Sequence, residues 1–298
     1  MKFTQFLTES TEKTQEIQQW FHDHGDMFTD VRHGIHWNSY DESIHLSSDL
    51  MVSELDTDIP YNFVMCAKDF ELNGGKVTKL PFGKHSVVLG KLVLKSLPEL
   101  SNTKNMPSFV STLELSKCSK LKTLTAPVNS DKLEIKSCEN LTKISDIHKV
   151  KTLSISSCQN LQSMPKISEI VALENLTIYR LDKINVFTGD QIYSGVKYLV
   201  LGDTAATSFK GIEKTFPNLT SLVMLKTSSI TSHVLGVLLL NNLTPIEMLG
   251  QSFAGQSGTT SVPQWLSILN KHLGKGRQGI MDCQRELIDA GFENYAKL

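Results

Sequence analysis

Two groups of side chains in this chain have the type and spacing for chemistry. Cys118, Cys138 and Cys158 recur in step, and His22, His24 and Asp26 stand at alternate positions in FHDHGDM. Thiols so placed could be metal ligands, nucleophiles or disulfide halves, and two imidazoles with a carboxylate could hold a metal ion. The cysteines do not read as a disulfide framework. With Cys66 and Cys283 they number five, an odd count at spacings unlike a secreted scaffold. A metal would need more ligands from the same side, and no His or Asp accompanies the three cysteines at a fixed offset. Reduced thiols are expected, each a small buried group or a weak donor to a turn backbone.

The remaining motifs are equally bare. FHDHGDM resembles the HxHxD element of metallo-β-lactamase-like hydrolases, but that family sets it after a strand and adds distant His and Asp ligands. Here it closes a helix-forming stretch with no downstream ligand run, so a solvated helix end is expected. His33 and His36 would point to opposite faces of a strand. LNGGK and HLGKGRQG lack the GxxxxGK[ST] spacing that wraps a phosphate. Lys271, His272, Lys275, Arg277 and Arg285 make a basic stretch without interleaved aromatics, which reads as a solvated helix face. No nucleophile elbow or paired carboxylates emerge. The reading is therefore of a chain with no catalytic residue, no metal and no cofactor, and not of an enzyme.

Composition excludes little more. The chain has 298 residues, 40% of them hydrophobic, enough for a sizeable core. Thirty basic against thirty-one acidic side chains give no global field for nucleic acid or an anionic membrane. The longest apolar run, His233 to Leu243, is about half a membrane span, and the N-terminus lacks a signal-peptide apolar core. A cytosolic protein is expected.

What must position these residues is a repeat. Pairs of apolar residues flanking one variable residue recur at Phe70/Leu72, Leu92/Leu94, Leu113/Leu115, Leu133/Ile135, Leu153/Ile155, Leu176/Ile178, Leu199/Leu201 and Leu222/Met224. The steps are 22, 21, 20, 20, 23, 23 and 23 residues, too short for a two-helix repeat. LxL marks a short strand with one buried face, and residues such as Leu121 and Leu124 turn the chain back beneath it. An α/β solenoid follows.

With units reading LxLxxCxxLxxL at Leu113, Leu133 and Leu153, the chain resembles the leucine-rich repeat family in its cysteine-containing variants. The resemblance implies a curved parallel β-sheet with loops or short 3₁₀ turns opposite it. The outer units fit loosely, with Gly75 and Thr204 at the cysteine position.

The flanks should cover the solenoid ends. Residues 10–69 read as an N-terminal cap: a helix in TEKTQEIQQWFHDHG with Ile17, Trp20 and Phe21 near one face, then a hairpin turning at Asn38-Ser39. The solenoid runs over 70–245. A Gly- and Ser-rich loop occupies 246–262, and 263–298 forms a helical hairpin broken at Gly274-Lys275-Gly276. Residues 1–9 resemble the capsid-targeting peptide of T-even-like phage internal head proteins, cut between Glu9 and Ser10 in Leu7-Thr8-Glu9-Ser10. That resemblance implies packaging in the phage head and delivery to the host cytoplasm.

The expected site is the open face of the sheet. Its row is Glu71, Val93, Glu114, Glu134, Ser154, Thr177, Val200 and Val223, with Tyr179, Arg180 and Tyr198 beside it, and it runs from acidic to apolar. The function expected is a non-enzymatic protein-interaction module, phage-encoded, that binds or occludes a host or virion protein. A structural virion component, and a metal-dependent enzyme with its site in the N-terminal cap, are the alternatives.

Overall fold

The computed structural model describes Gln15, Gln19, Asp23 and residues 28–29, 36–38, 43–46, 50–53, 58, 63–67, 69–82, 87–107, 109–124, 128–145, 147–164, 173–187, 191–225, 230–249 and 262–298. Gln15, Gln19 and Asp23 are helical and exposed, and Gln19 Nε2 donates to Asp23 Oδ1 at 2.6 Å. They lie on the polar side of the helix expected there. Ile17, Trp20, Phe21, the HxHxD residues His22, His24 and Asp26, and the Glu9/Ser10 cut lie outside the described residues.

The chain forms two compact units, Met1–His148 and Lys149–Leu298. Each is a stretch of parallel β-solenoid made mostly of strand, and the few helices with described bounds lie in the second unit.

In the first unit the ladder strands are β1 (Leu50–Ser53), β2 (Phe70–Asn73), β3 (Val87–Lys95), β4 (Phe109–Ser116) and β5 (Lys132–Lys136). They pair in parallel with the apolar pairs aligned: Leu50, Phe70, Leu92, Leu113 and Leu133 form one row, and Val52, Leu72, Leu94, Leu115 and Ile135 the next. From Phe70 onward each of these residues is buried. β1, in the stretch expected to cap the solenoid, is thus one more parallel step. A hairpin forms, but with Asn38 in the strand opposite Ser43 and not at the turn expected at Asn38-Ser39: His36–Asn38 pairs antiparallel with Ser43–Leu46, which in turn runs parallel to Phe63–Ala67.

Each coil turns by the same device. The residue two after the apolar pair takes a left-handed conformation: Gly74 (φ 77°), Ser96 (53°), Lys117 (54°) and Ser137 (55°) in this unit, and Ser157 (54°), Arg180 (52°) and Asp203 (49°) in the second. Within each unit the amides here still reach the next coil: Gly74 donates to Lys95 O at 2.9 Å, Lys117 to Lys136 O at 3.0 Å and Ser157 to Tyr179 O at 2.9 Å. The corner therefore costs no backbone hydrogen bond, although it asks an unfavourable φ of residues other than glycine. A tight turn follows, closed from the amide of Leu121 to Cys118 O, Leu141 to Cys138 O and Leu161 to Cys158 O at 3.0–3.2 Å.

The second unit carries β6 (Thr152–Ser156), β7 (Asn175–Leu181), β8 (Tyr198–Thr204), β9 (Ser221–Leu225) and β10 (Glu247–Leu249), again parallel. β10 falls where the sequence reading places a loop. The longer coils make room for α1 (Ile212–Thr215), a 3₁₀ turn at Leu235–Leu239, and an aromatic cluster in which Phe187 meets Phe209 and Phe216 edge-on at 6.0 and 6.2 Å. Beyond these lie α2 (Gln264–His272) and α3 (Gly276–Asp289), joined through left-handed Gly274 and Gly276. Trp265 of α2 stacks on Tyr295 at 5.2 Å, and the amides of His233 and Val234 donate to Asn294 O and Tyr295 O. The C-terminal segment is thereby tied to the last coil.

Candidate functional site

Cys118, Cys138 and Cys158 are fully buried free thiols. Each Sγ faces a backbone carbonyl at its own corner: Ser116 O at 3.6 Å, Lys136 O at 3.7 Å and Ser156 O at 3.4 Å. Leu97 and Leu181 hold the equivalent place in other coils and are equally buried, with their own turn bonds to Leu100 and Ile184. An aliphatic side chain does the same job, so the cysteines fill space. The Cys118 thiol is pushed far above its ordinary range by its hydrogen bond with Cys138 and by burial, which removes nucleophilic character. Burial likewise pushes the Cys283 thiol up to about 12. Among the described residues no group of three or more His, Cys, Asp or Glu is placed to hold a metal ion.

The open sheet face of the first unit is a lattice of charges. Its central row aligns Glu71, Val93, Glu114 and Glu134 in register. Lys91 and Lys132 flank it on one side, Lys95 and Lys136 on the other. Two of its acids are paired: Glu114 Oε2 lies 2.7 Å from Lys91 Nζ, and Glu134 Oε1 lies 2.5 Å from Lys132 Nζ. The bond to Glu114 raises the Lys91 pKa above its ordinary value, with Glu134 and Glu71 adding attraction. Such partly exposed pairs hold little net energy and leave little uncompensated field. Val93, at 7% exposed, is covered.

The second unit's face differs in kind. Ser154, Thr177, Val200 and Val223 align in its central row, ending at Glu247. Thr152, Asn175, Tyr198 and Ser221 form the row before it, Tyr198 standing 52% exposed. The row after it contains Ser156, Tyr179 and Gly202, with Leu225 closing over the glycine. A Cβ at Gly202 would fall 2.7 Å from Leu225 Cβ and 3.0 Å from Tyr179 Cδ2, so glycine is what lets those two side chains meet. Leu249 adds a half-exposed aliphatic group. Across these rows Glu247 is the single charge.

Tyr179 and Arg180 are placed differently from the row residues. Tyr179 is only 7% exposed, and the Arg180 guanidinium sits 5.0 Å from its ring centre. Arg180 occupies the left-handed corner, where its Nε lies 3.7 Å from Asp203 Oδ2 on the next corner. It therefore borders the face rather than lying on it. Sequence reasoning missed this stack of corners because Ser, Lys and Arg share no side-chain signal; among the corner residues only Gly74 and Asp203 are of types such a φ favours.

No helix of the described residues is long and apolar enough to cross a membrane. Comparison with known proteins finds no family model, no curated protein and no solved structure that matches this chain, so its assignment rests on the parallel solenoid and the two sheet faces alone.

Proposed function

We propose that this protein is a non-enzymatic protein-interaction module of the leucine-rich repeat type, and that the open face of β6–β10 is its binding surface. The observation carrying this reading is that face itself: strand-borne rows of small polar, aliphatic and tyrosine side chains with one charge, half-exposed at Tyr198 and Leu249. Little desolvation of charge opposes covering it, and tyrosine is a frequent energetic anchor in interfaces. The charged face of β2–β5 lacks that property because covering it would desolvate charged groups, among them Glu114 and Glu134 with their lysine partners. The repeated LxLxxCxxLxxL unit supports the family assignment. Leu7-Thr8-Glu9-Ser10 supports a phage origin with head packaging, which the N-terminal mass of the protein from purified particles tests: a chain starting at Ser10 is the expected result.

The binding surface is tested by placing a photo-crosslinking residue at Tyr198 and, separately, at the exposed Lys183 in the turn after β7, in the native host cell. One discrete crosslinked protein at Tyr198 and not at Lys183 is expected. The same products from both positions would sink the reading.

A further inference from the structure

The last strand of the second unit, β10, pairs on one side with β9, and among the described residues no strand follows it on the other. In a parallel ladder, successive residues turn their N–H and C=O to alternate sides of the strand. Ile246, just before β10, turns both groups away from β9, where Asn270 of α2 meets them. The Ile246 amide donates to Asn270 Oδ1 at 2.8 Å, and Asn270 Nδ2 donates to Ile246 O at 2.9 Å. One side-chain amide thus imitates the backbone of a further strand. Met248, two residues on, turns its N–H and C=O the same way, and none of the described residues bonds to that side of it.

Burial marks the same gap. Ile155, Ile178, Leu201 and Met224 hold the inward position in the preceding strands and are at most 3% exposed. Met248, in register with Met224, is only half-buried. The solenoid end is therefore covered at Ile246 and open at Met248. A globular apolar surface could cover the side chain but would leave the main-chain groups unbonded; an extended backbone does both. Beside Met248, on the open face, stand the exposed Glu247 and Leu249.

We propose that the β10 edge binds an extended polypeptide segment that adds antiparallel at Met248. In that pairing one residue makes both hydrogen bonds, its N–H donating to Met248 O and its C=O accepting from the Met248 amide. A parallel segment would need two residues for the same bonds. Alternation then sets the side chains. Toward the segment's C-terminus they are an aliphatic residue opposite Leu249, a second over Met248 and a basic residue opposite Glu247. The site is the edge and not the face, so either can fail without the other.

The test is an NMR titration of the full chain with the capped peptide acetyl-TTVIK-amide, whose valine, isoleucine and lysine match those places and whose chain stops before it reaches Ile246. Saturable shifts centred on the Met248 amide are expected at millimolar peptide. Methylating the isoleucine nitrogen removes the donor to Met248 O and should weaken binding about fivefold or more. Replacing the lysine by glutamate sets like charges opposite each other and should weaken it about threefold. No saturable shift at Met248 would overturn the proposal, as would equal binding of either altered peptide. Strong protection of the Met248 amide from hydrogen exchange in the free protein would also overturn it, because the edge would already be paired. None of these outcomes decides whether Tyr198 crosslinks a partner.

Discussion

Lys117 carries the solenoid's corner at φ 54°, a conformation that L-residues other than Asn and Asp rarely adopt and that glycine adopts freely. Its side chain is exposed, so the position isolates backbone cost from packing. Lys117→Gly should raise stability by about 0.5–1 kcal/mol and Lys117→Val should lower it by more than about 1 kcal/mol, measured by urea unfolding. Equal stability of the two variants would contradict the corner. A similar separation applies to the cysteines. Cys138→Ser places a hydroxyl where a fully buried thiol sits and should cost about 1–2 kcal/mol while leaving partner affinity unchanged. An alkylating reagent should leave Cys118, Cys138, Cys158 and Cys283 unmodified until the chain unfolds; fast native labelling of Cys118 would restore a chemical role.

At the scale of elements, the alternation of apolar and variable residues in the LxL units is enough to locate β2 through β9, because burial on one face of a strand imposes period two. It also sorts outward from inward residues correctly at Glu71, Glu114, Glu134, Thr177 and Val200, all of which are less buried than the apolar residues beside them. β1 and β10 are harder to see. Leu50 and Val52 lack the following turn signature; β10 does continue the pattern, Ile246 and Met248 flanking Glu247 24 residues after Leu222/Met224, but it runs straight into a Gly- and Ser-rich stretch in place of the turn leucines. The pairing of Lys91 with Glu114 depends on a diagonal between neighbouring coils, and the approach of Gly236 to Glu213 on the fold of the longer coils; neither has a local sequence cue.

The α2–α3 hairpin is held in part through Glu286, which accepts from Lys271 Nζ at 2.8 Å and from His272 Nε2 at 2.8 Å. Those hydrogen bonds hold its pKa below the ordinary 4.5. A carboxylate with a lowered folded pKa contributes stability above its unfolded value, and loses it as pH falls through the folded one. The melting temperature of the native protein should therefore exceed that of Glu286→Gln above about pH 4.5, with the gap closing on further acidification. A gap independent of pH would mean the contact acts by packing alone.

For the whole molecule, near-neutral composition is built from two unlike surfaces, a lysine–glutamate lattice in the first unit and an almost uncharged sheet face in the second. Only the second can be covered without breaking existing ion pairs. The period of the repeats foretold the rows, whereas the difference between them emerges from pairing across coils. The most direct test of the central claim is the affinity of the crosslinked partner for the native chain, for Val200→Lys, and for Glu114→Lys with Glu134→Lys. A charge at Val200 should cost about tenfold or more in affinity at unchanged fold, and the double reversal in the first unit about threefold or less. The opposite ranking would place binding on the charged face and contradict the account.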